Sequence, residues 1–208
     1  NISGGVFNNS GSTRVGTFNS LGSGDEQTVW ATGNFSAIVN LSGGTLNTND
    51  MLIGYQQGNN GSPYSSAEVN ISNGNLTSGY LQVGWGANSV MNISGGNVQT
   101  SGDTIIGYLS HSIVNMSNGT WTNDTLYLTY MDYSCNGAIN LSGGTLITNS
   151  AYLGTVHYDS GLNSVAAMNV SGGTWSNNGS LYLGYNENGV DTGSTTIATL
   201  NLVGGNIT

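Results

Sequence analysis

The sequence predicts an all-β fold, a single parallel β-helix in which residues 1–208 form one domain. The first observation is a short phrase that occurs eight times: Asn, an aliphatic residue, usually Ser, then Gly or Asn, then Gly. The second is that apolar and polar residues alternate around each phrase, which is the period of a β-strand. The third is that each copy presents the strand in the same direction. The copies begin at Asn1, Asn40, Asn70, Asn92, Asn115, Asn140, Asn169 and Asn201.

The first strand of each repeat leads into the motif asparagine. The residues directly before and after this Asn are apolar, as Val69 and Ile71 are, and the residue three positions before it is small, as Ala67 is. Side chains two positions apart lie on one face of a strand. These three columns are therefore predicted to face the interior, with the Asn column outside.

Two further strands follow the motif. The glycine step allows positive φ and a sharp bend, and an apolar residue such as Leu76 then faces inward. After a polar corner, a third strand shows apolar, any, apolar, then usually Gly and an aromatic residue, as in residues 81–85. We predict three short strands per repeat and about seven complete rungs spaced about 4.8 Å apart, with the right hand usual for parallel crossovers.

The repeats differ in length at one corner. Successive motif asparagines are 22 positions apart between Asn70 and Asn92, but 39 apart between Asn1 and Asn40. Nearly all the additional residues follow the Gly-aromatic pair, so we predict loops that project there without disturbing neighbouring rungs. These loops are residues 18–36, 56–66, 131–136, 156–165 and 186–196.

Composition excludes several classes of function. Lys and Arg together number 1 and Asp and Glu 10, which gives a formal net charge of −9. Nucleic acid and anionic membrane surfaces would be repelled by this charge. No apolar segment approaches the roughly 18 residues that a membrane helix needs, so we expect no membrane insertion. The single cysteine, Cys135, excludes an internal disulfide framework and is expected to pack as a small apolar side chain.

The motif asparagines have two interpretations. Seven of them stand in Asn-x-Ser sequons and are formal glycan acceptors. Alternatively, asparagines in register on successive rungs pass amide hydrogen bonds along the stack, as in cross-β ladders. We favour the ladder because a glycan on every rung would crowd, and Asn34 and Asn60 are then the better glycosylation candidates. The predicted ladder comprises Asn40, Asn70, Asn92, Asn115, Asn140, Asn169 and Asn201.

An aromatic residue recurs after the Gly of the third strand. Aromatic rings in a row provide either a platform on which sugar rings stack or a corner at which the rings stack on one another. The mutual stacking is the simpler interpretation, and glycan binding is the functional one. The residues concerned are Tyr55, Trp85, Tyr108, Tyr130 and Tyr185.

Candidate catalytic groups are sparse, and we expect no enzyme. Asp50, Asp103 and Asp124 occupy corner positions, and the last two lie on adjacent rungs, close enough to shift each other's pKa. Paired carboxylates at polar corners are usually solvated turn residues. Arg14 is the only basic residue that a lyase mechanism could use.

No cofactor is expected either. The two histidines, His111 and His157, fall in separate loops two rungs apart, so a shared metal is not predicted. The one metal alternative that the sequence offers is calcium at the acidic loops, at Asp25 and Glu26 or at Glu187 with Asp191.

The repeats resemble glycine-rich repeats of large secreted bacterial β-helix proteins, with the form apolar-Asn-apolar-Ser-Gly-Gly-Thr-Leu followed by Leu-x-Ile-Gly. Similar repeats occur in autotransporter passenger domains and in surface proteins with an exosortase-type sorting tail. Residues 39–46 with 51–54, and 139–146 with 152–154, match best. The resemblance implies a pectin-lyase-like superhelix and export to the cell surface, and it carries no catalytic residues.

Neither end of the repeat array carries a polar cap, so both terminal rungs are expected to expose strand edges and core side chains. We therefore expect an extracellular structural subunit that stacks head to tail into a filament, with Asn1 and Ile2 near Leu202 and Ile207 of the next copy. The alternative is an adhesin whose corner loops, especially residues 18–36, bind a receptor or a cell-surface or matrix polysaccharide.

Overall fold

The computed structural model describes residues 1–16, 18–19, 36–57, 66–131, 135–156, 163–186 and 195–208. These ranges contain strands and no helix, hence no helix that could span a bilayer. In chain order the strands are β1 (Val6–Val15), β2 (Phe18–Asn19), β3 (Ser36–Leu41), β4 (Thr45–Gln57), β5 (Ser66–Ile71), β6 (Asn75–Trp85), β7 (Asn88–Ile93), β8 (Asn97–Ile106), β9 (His111–Met116), β10 (Thr120–Met131), β11 (Asn136–Leu141), β12 (Thr145–Val156), β13 (Asn163–Val170), β14 (Thr174–Asn177), β15 (Leu181–Asn186), β16 (Thr195–Leu202) and β17 (Asn206–Ile207).

The strands form two sheets, and the strands paired within them are parallel. The strands that carry the motif Asn build a seven-stranded sheet in the order β3-β5-β7-β9-β11-β13-β16. The strands that follow the motif build a ten-stranded sheet along β1-β4-β6-β8-β10-β12-β14-β17, with β15 beside β12 and β2 beside β4. The predicted all-β, parallel repeat architecture is confirmed.

Residues that are equivalent in the repeats pair with one another. Ile71 on β5 pairs with Ile93 on β7, which pairs with Met116 on β9. Each of these three side chains is 1 % exposed. Along β5, buried positions alternate with more exposed ones in the period of two that the sequence shows. Each inward position therefore forms a column of apolar side chains, and burying one large aliphatic side chain contributes about 1.5–3 kcal/mol.

The structure differs from the prediction of three strands per repeat. The predicted second and third strands join into one long strand, such as β6 or β10, and are separate only as β14 and β15. The polar corner lies inside the long strands. β4 and β6 keep their register through it, as do β10 and β12, whereas β8 carries one extra residue: Ser78 and Leu81 on β6 pair with Thr100 and Thr104 on β8. The strand continues because an extra residue is accommodated as a bulge, which bends the backbone without ending the ladder.

The glycine pair after the motif is required by close approach of the rungs. At Gly144 φ is 78°, and a Cβ atom there would lie 2.7 Å from the carbonyl oxygen of Gly119, its counterpart one repeat earlier. A side chain would be strained by the backbone and would also collide with the neighbouring rung. The recurrence of glycine in the motif follows from these two constraints.

The variable segments after the Gly-aromatic pair lie largely outside the described residues, so the predicted corner loops stay a prediction. Two short connections are described, and the second comprises residues 107–110 between β8 and β9. Between Trp85 and Asn88 the corner consists of Gly86 and Ala87, and an antiparallel bridge joins Gly86 to Tyr55.

Candidate functional site

The motif asparagines lie in a row along the seven-stranded sheet and are linked by their side chains. Nδ2 of each asparagine donates a hydrogen bond to Oδ1 of the asparagine one repeat earlier, at 2.7–2.9 Å. A hydrogen bond of this kind contributes about 0.5–1.5 kcal/mol net. The row, termed the Asn ladder below, runs from Asn201 through Asn169, Asn140, Asn115, Asn92, Asn70 and Asn40 to Asn1.

The Asn ladder has a direction. Asn1 accepts a hydrogen bond through Oδ1, and its Nδ2 donates none to the described residues. At the other end, Asn201 donates through Nδ2, and its Oδ1 accepts none from them. One end of the ladder therefore offers a donor and the other an acceptor, so unlike ends are complementary and like ends are not.

The first terminal surface, termed the N-terminal end face, consists of β1 and the segment around Asn1 and Ile2. Within the described chain β1 borders only β4 in its sheet, which leaves one edge of β1 unpaired. Phe7 on this edge is 53 % exposed, whereas its register partner Leu46 is 3 % exposed. Phe7 thus stands in an inward column that no further rung of the described chain covers.

The second terminal surface, termed the C-terminal end face, consists of β15, β16 and β17. Leu183 and Leu202 are 48 % and 54 % exposed, whereas their register partners Leu153 and Val170 are fully buried. Ile207 on β17 is half-buried beside Trp175. Leu202 and Ile207 end the columns that begin with Ile2 and Phe7, whereas the column of Leu183 begins with the buried Val15.

The four predicted subunit contacts lie on these two surfaces. Asn1 and Ile2 belong to the N-terminal end face, and Ile2 bridges Leu41. Leu202 and Ile207 belong to the C-terminal end face, on the last strand of each sheet. The predicted residues are thus placed at opposite ends of the stack, as head-to-tail contact requires.

Four of the five predicted aromatic residues follow one another along the stack and are termed the aromatic row. Ring centroids are 5.2 Å apart for Tyr55 and Trp85, 5.0 Å for Trp85 and Tyr108, and 6.4 Å for Tyr108 and Tyr130. The first two pairs are tilted by 55° and 42°, and the third is stacked. All four side chains are half-buried, so each ring keeps part of its surface in solvent.

A second aromatic column was missed by sequence reasoning. Tyr127, Tyr152 and Tyr182 are register partners, and their rings stack at 5.0 Å and 4.8 Å with interplanar angles of 14° and 10°. Tyr130 lies 5.0 Å from Tyr127, and Tyr185, the fifth predicted aromatic, lies 5.2 Å from Tyr152. The signal was present as the tyrosine between the two inward residues of the third strand, in Leu-Tyr-Leu at 126–128 and 181–183 and in Ala-Tyr-Leu at 151–153.

Arg14 lies at one end of this aromatic surface. Its guanidinium carbon is 4.5 Å from the ring centroid of Tyr55, a cation–π contact. Through the register of successive strands, Arg14 belongs to the same column as Leu52 and, at the far end, Tyr182. The only basic side chain of the chain therefore begins a column that ends with the Tyr182 ring, one rung before the rung of β16 and β17.

The Asp103 carboxylate lies near the half-buried phenol of Tyr80 and the half-buried hydroxyl of Thr125. Burial raises the pKa of the Asp103 carboxyl, the nearby Asp124 adds to that rise, and a hydrogen bond from Thr125 opposes it. Burial, with the neighbouring Asp103 charge, also raises the pKa of the Tyr80 phenol well above its usual value. These groups form a partly desolvated acidic corner, to which we assign no reaction.

The predicted histidine and calcium candidates are only partly described. Nδ1 of His111 lies 2.8 Å from Nδ2 of Asn136, its neighbour on the next rung. No group of three or more His, Cys, Asp or Glu side chains within the described ranges is arranged to hold a metal. His157 and both proposed calcium loops, with Asp25, Glu26, Glu187 and Asp191, lie outside the described residues.

A buried polar column beside the corner was also missed. Eight positions after the motif Asn, the side chains of Thr48, Ser78, Thr100, Asn123 and Thr148 are buried. Some are paired: Thr48 donates to the carbonyl oxygen of Asp50 at 2.9 Å, and Thr148 donates to Oδ1 of Asn177 at 2.7 Å. Thr100 and Asn123 have unpaired side-chain atoms. The recurring Thr, Ser or Asn after the second strand was the sequence signal.

Comparison of the chain with protein families, with curated proteins and with solved structures found no match.

Proposed function

We propose that the chain is an extracellular structural protein, a right-handed β-solenoid of about seven complete rungs whose copies stack head to tail into a surface fibre. The observation that supports this most is the exposure of core columns at both end faces. Phe7 and Leu202 are each more than half exposed, although their equivalents inside the stack are buried. Covering them with another rung would bury apolar surface and pair free strand edges.

The two end faces fit each other in register. Phe7 and Ile207 occupy one inward column, and Ile2 and Leu202 occupy another. A second copy placed on the C-terminal end face would continue both columns and extend both parallel sheets. Because this contact joins unlike surfaces, it does not close on itself, and it produces a filament.

Polar groups favour the same orientation. In a head-to-tail stack, Nδ2 of Asn1 in one copy would donate to Oδ1 of Asn201 in the next, continuing the Asn ladder. Contact between like ends would instead bring two donors or two acceptors together.

The net charge of the chain bears on how filaments associate sideways, and the resemblance of its repeats to known proteins bears on where the fibre is located. A net charge of −9 per copy keeps filaments apart sideways. The cell-surface location in this proposal rests on the resemblance of the repeats to those of secreted bacterial β-helix proteins.

Electron microscopy of the purified chain tests the proposal, with one variant for each end face. We expect fibres from the unmodified chain and none from Phe7→Glu or Leu202→Glu alone, because a buried unpaired carboxylate blocks one face. Mixed together, these two variants should form a dimer that grows no further, since each retains one intact face.

Ile113→Glu is the matched control. Ile113 is 40 % exposed on β9, in the middle of the seven-stranded sheet and away from both end faces, so this variant should still form fibres. Monomers from the unmodified chain, or loss of fibres in Ile113→Glu equal to that in the end-face variants, would overturn the proposal.

A second candidate is an adhesin that binds glycans, and the aromatic row favours it. Trp85 is tilted against both neighbouring rings and half-buried, so part of its face is accessible to a sugar ring. Replacing Trp85 and Tyr108 with Ala should abolish binding to immobilised polysaccharide, while Ile113→Ala should not affect it. Equal binding by both variants would exclude the aromatic row as the glycan site.

A further inference from the structure

Five tyrosines gather on three successive strands of the ten-stranded sheet. This tyrosine cluster consists of Tyr127, Tyr130, Tyr152, Tyr182 and Tyr185, on β10, β12 and β15. Each ring has at least one neighbour in the cluster with its centroid 4.8–5.2 Å away. The cluster reaches the C-terminal end face, where Tyr182 is 39 % exposed.

Tyr152 and Tyr182 have the closest and most parallel rings in the cluster. Their centroids are 4.8 Å apart, with an interplanar angle of 10°. They are register partners on parallel strands, so both side chains leave the backbone in the same direction. Because the rings are nearly parallel and leave their strands in the same direction, their corresponding ortho carbons are separated by a distance close to that between the centroids.

We propose that the tyrosine cluster is a site of oxidative coupling, at which Tyr152 and Tyr182 are joined by a carbon–carbon bond as dityrosine. The oxidant class is hydrogen peroxide acting through a haem peroxidase. Each phenol loses one electron and its hydroxyl proton, and the two phenoxyl radicals form a bond between their ortho carbons. The ortho hydrogens then move to the oxygens and restore both aromatic rings. Two tyrosines and one hydrogen peroxide thus give one dityrosine and two water molecules.

A cross-link between Tyr152 and Tyr182 would fasten β15, a strand at the end of the sheet. Within the described chain β15 pairs only with β12, and most of its side chains are exposed. A bond from Tyr152 to Tyr182 would tie this terminal strand to the rung below it. Disulfides cannot serve this purpose within the chain because Cys135 is its only cysteine, and it is buried.

The experiment uses the Phe7→Glu variant, so that coupling within one chain is separated from coupling between stacked copies. After treatment with peroxidase and hydrogen peroxide, we expect dityrosine fluorescence in the monomer and a loss of two hydrogen atoms by mass. Peptide mapping should find Tyr152 linked to Tyr182. The yield per chain should not depend on protein concentration, and the unfolding midpoint should rise by on the order of 5 °C.

Two conservative variants and one control decide the assignment. Tyr152→Phe and Tyr182→Phe keep the stacked rings but cannot couple, and each should lose most of the monomer signal. Tyr80→Phe should retain it, since Tyr80 is half-buried at the polar corner, outside the tyrosine cluster, and its hydroxyl donates to Oε1 of Gln82 at 3.2 Å. An undiminished signal in Tyr182→Phe, coupling only between molecules, or the same linkage yield in urea-unfolded protein would overturn the proposal.

Discussion

Gly84 shows how one position combines a backbone and a packing requirement. Its φ is 89°, and a Cβ atom added there would collide with Oγ of Ser112. Gly184 has a similar φ of 69° but nothing within 4 Å of the added Cβ. At Gly184 a side chain would only strain the backbone, whereas at Gly84 it would also collide with Ser112. Comparing substitutions at the two glycines therefore separates the free-energy cost of backbone strain from that of the collision.

We predict that Gly84→Ala destabilises the protein by about 2–4 kcal/mol and Gly184→Ala by about 1 kcal/mol. Urea unfolding followed by circular dichroism measures both values. Equal losses in the two variants would show that contact with Ser112 has no energetic consequence.

The two buried tryptophans differ in one hydrogen bond. Trp121 and Trp175 occupy the same column and are both fully buried. Nε1 of Trp175 donates to Oγ1 of Thr148 at 3.0 Å, whereas Nε1 of Trp121 has no partner. Replacement by Phe removes similar volume at both sites but a hydrogen bond at only one.

We predict that Trp175→Phe costs about 1–2 kcal/mol more than Trp121→Phe, because an unpaired buried donor is itself unfavourable. Unfolding in urea with each variant provides the comparison. A larger loss in Trp121→Phe would mean that its indole nitrogen is paired in solution.

The burial and backbone conformation of individual residues could be predicted where the residue follows the repeat, and less well where the repeat is interrupted. Thr129 stands where other repeats have glycine, and it is the one non-glycine residue with positive φ, 61°, in the described chain. The sequence shows that Thr129 replaces the glycine of the other repeats. Whether the backbone keeps a positive φ at this position depends on packing against the neighbouring rungs. Thr129 is fully buried and its Oγ1 has no partner, so the site combines backbone strain with an unsatisfied hydroxyl.

At the scale of strands, the Asn ladder connects every rung of the seven-stranded sheet. Asn115 takes part in two hydrogen bonds, to Asn92 and from Asn140, each 2.9 Å long. Asn201 takes part in one, at 2.7 Å. The cost of removing an amide should therefore depend on its position in the ladder.

We predict that Asn115→Ala destabilises the chain by about 1–3 kcal/mol and Asn201→Ala by no more than about 1 kcal/mol. Thermal unfolding in a background that does not form fibres, such as Phe7→Glu, isolates this effect from assembly. An equal loss of stability in the two variants would mean that the hydrogen bonds of the Asn ladder stabilise the fold no more than hydrogen bonds to water do.

The strands themselves were largely predictable, and the corner between the second and third was not. Alternation by two fixes which residues face inward, as Val69 and Ile71 do. A polar pair such as Gly102-Asp103 is typical of a turn, yet it lies within strand β8, which carries one residue more than β6 and β10 at this point. The second aromatic column depends in the same way on register between strands, which no single repeat reveals.

At the scale of the whole molecule, stacking in register carries two apolar columns and the Asn ladder from one end face to the other. The apolar columns end in exposed side chains such as Phe7 and Leu202, and the Asn ladder ends in a donor and an acceptor. The sequence predicted which residues lie at the ends. The direction of the ladder could not be read from it, because each amide group can donate or accept until its neighbours fix its orientation.

Cysteine cross-linking between copies tests head-to-tail stacking most directly. Asn8 and Thr208 are exposed and each stands seven positions after a motif Asn, so in the stack they lie on adjacent rungs. The spacing of about 4.8 Å between paired strands is within the Cα–Cα range of a disulfide. We predict that Asn8→Cys mixed with Thr208→Cys gives a disulfide-linked pair under mild oxidation, while either variant alone gives none. Dimers formed by Asn8→Cys alone, or monomers from the mixture, would contradict head-to-tail stacking.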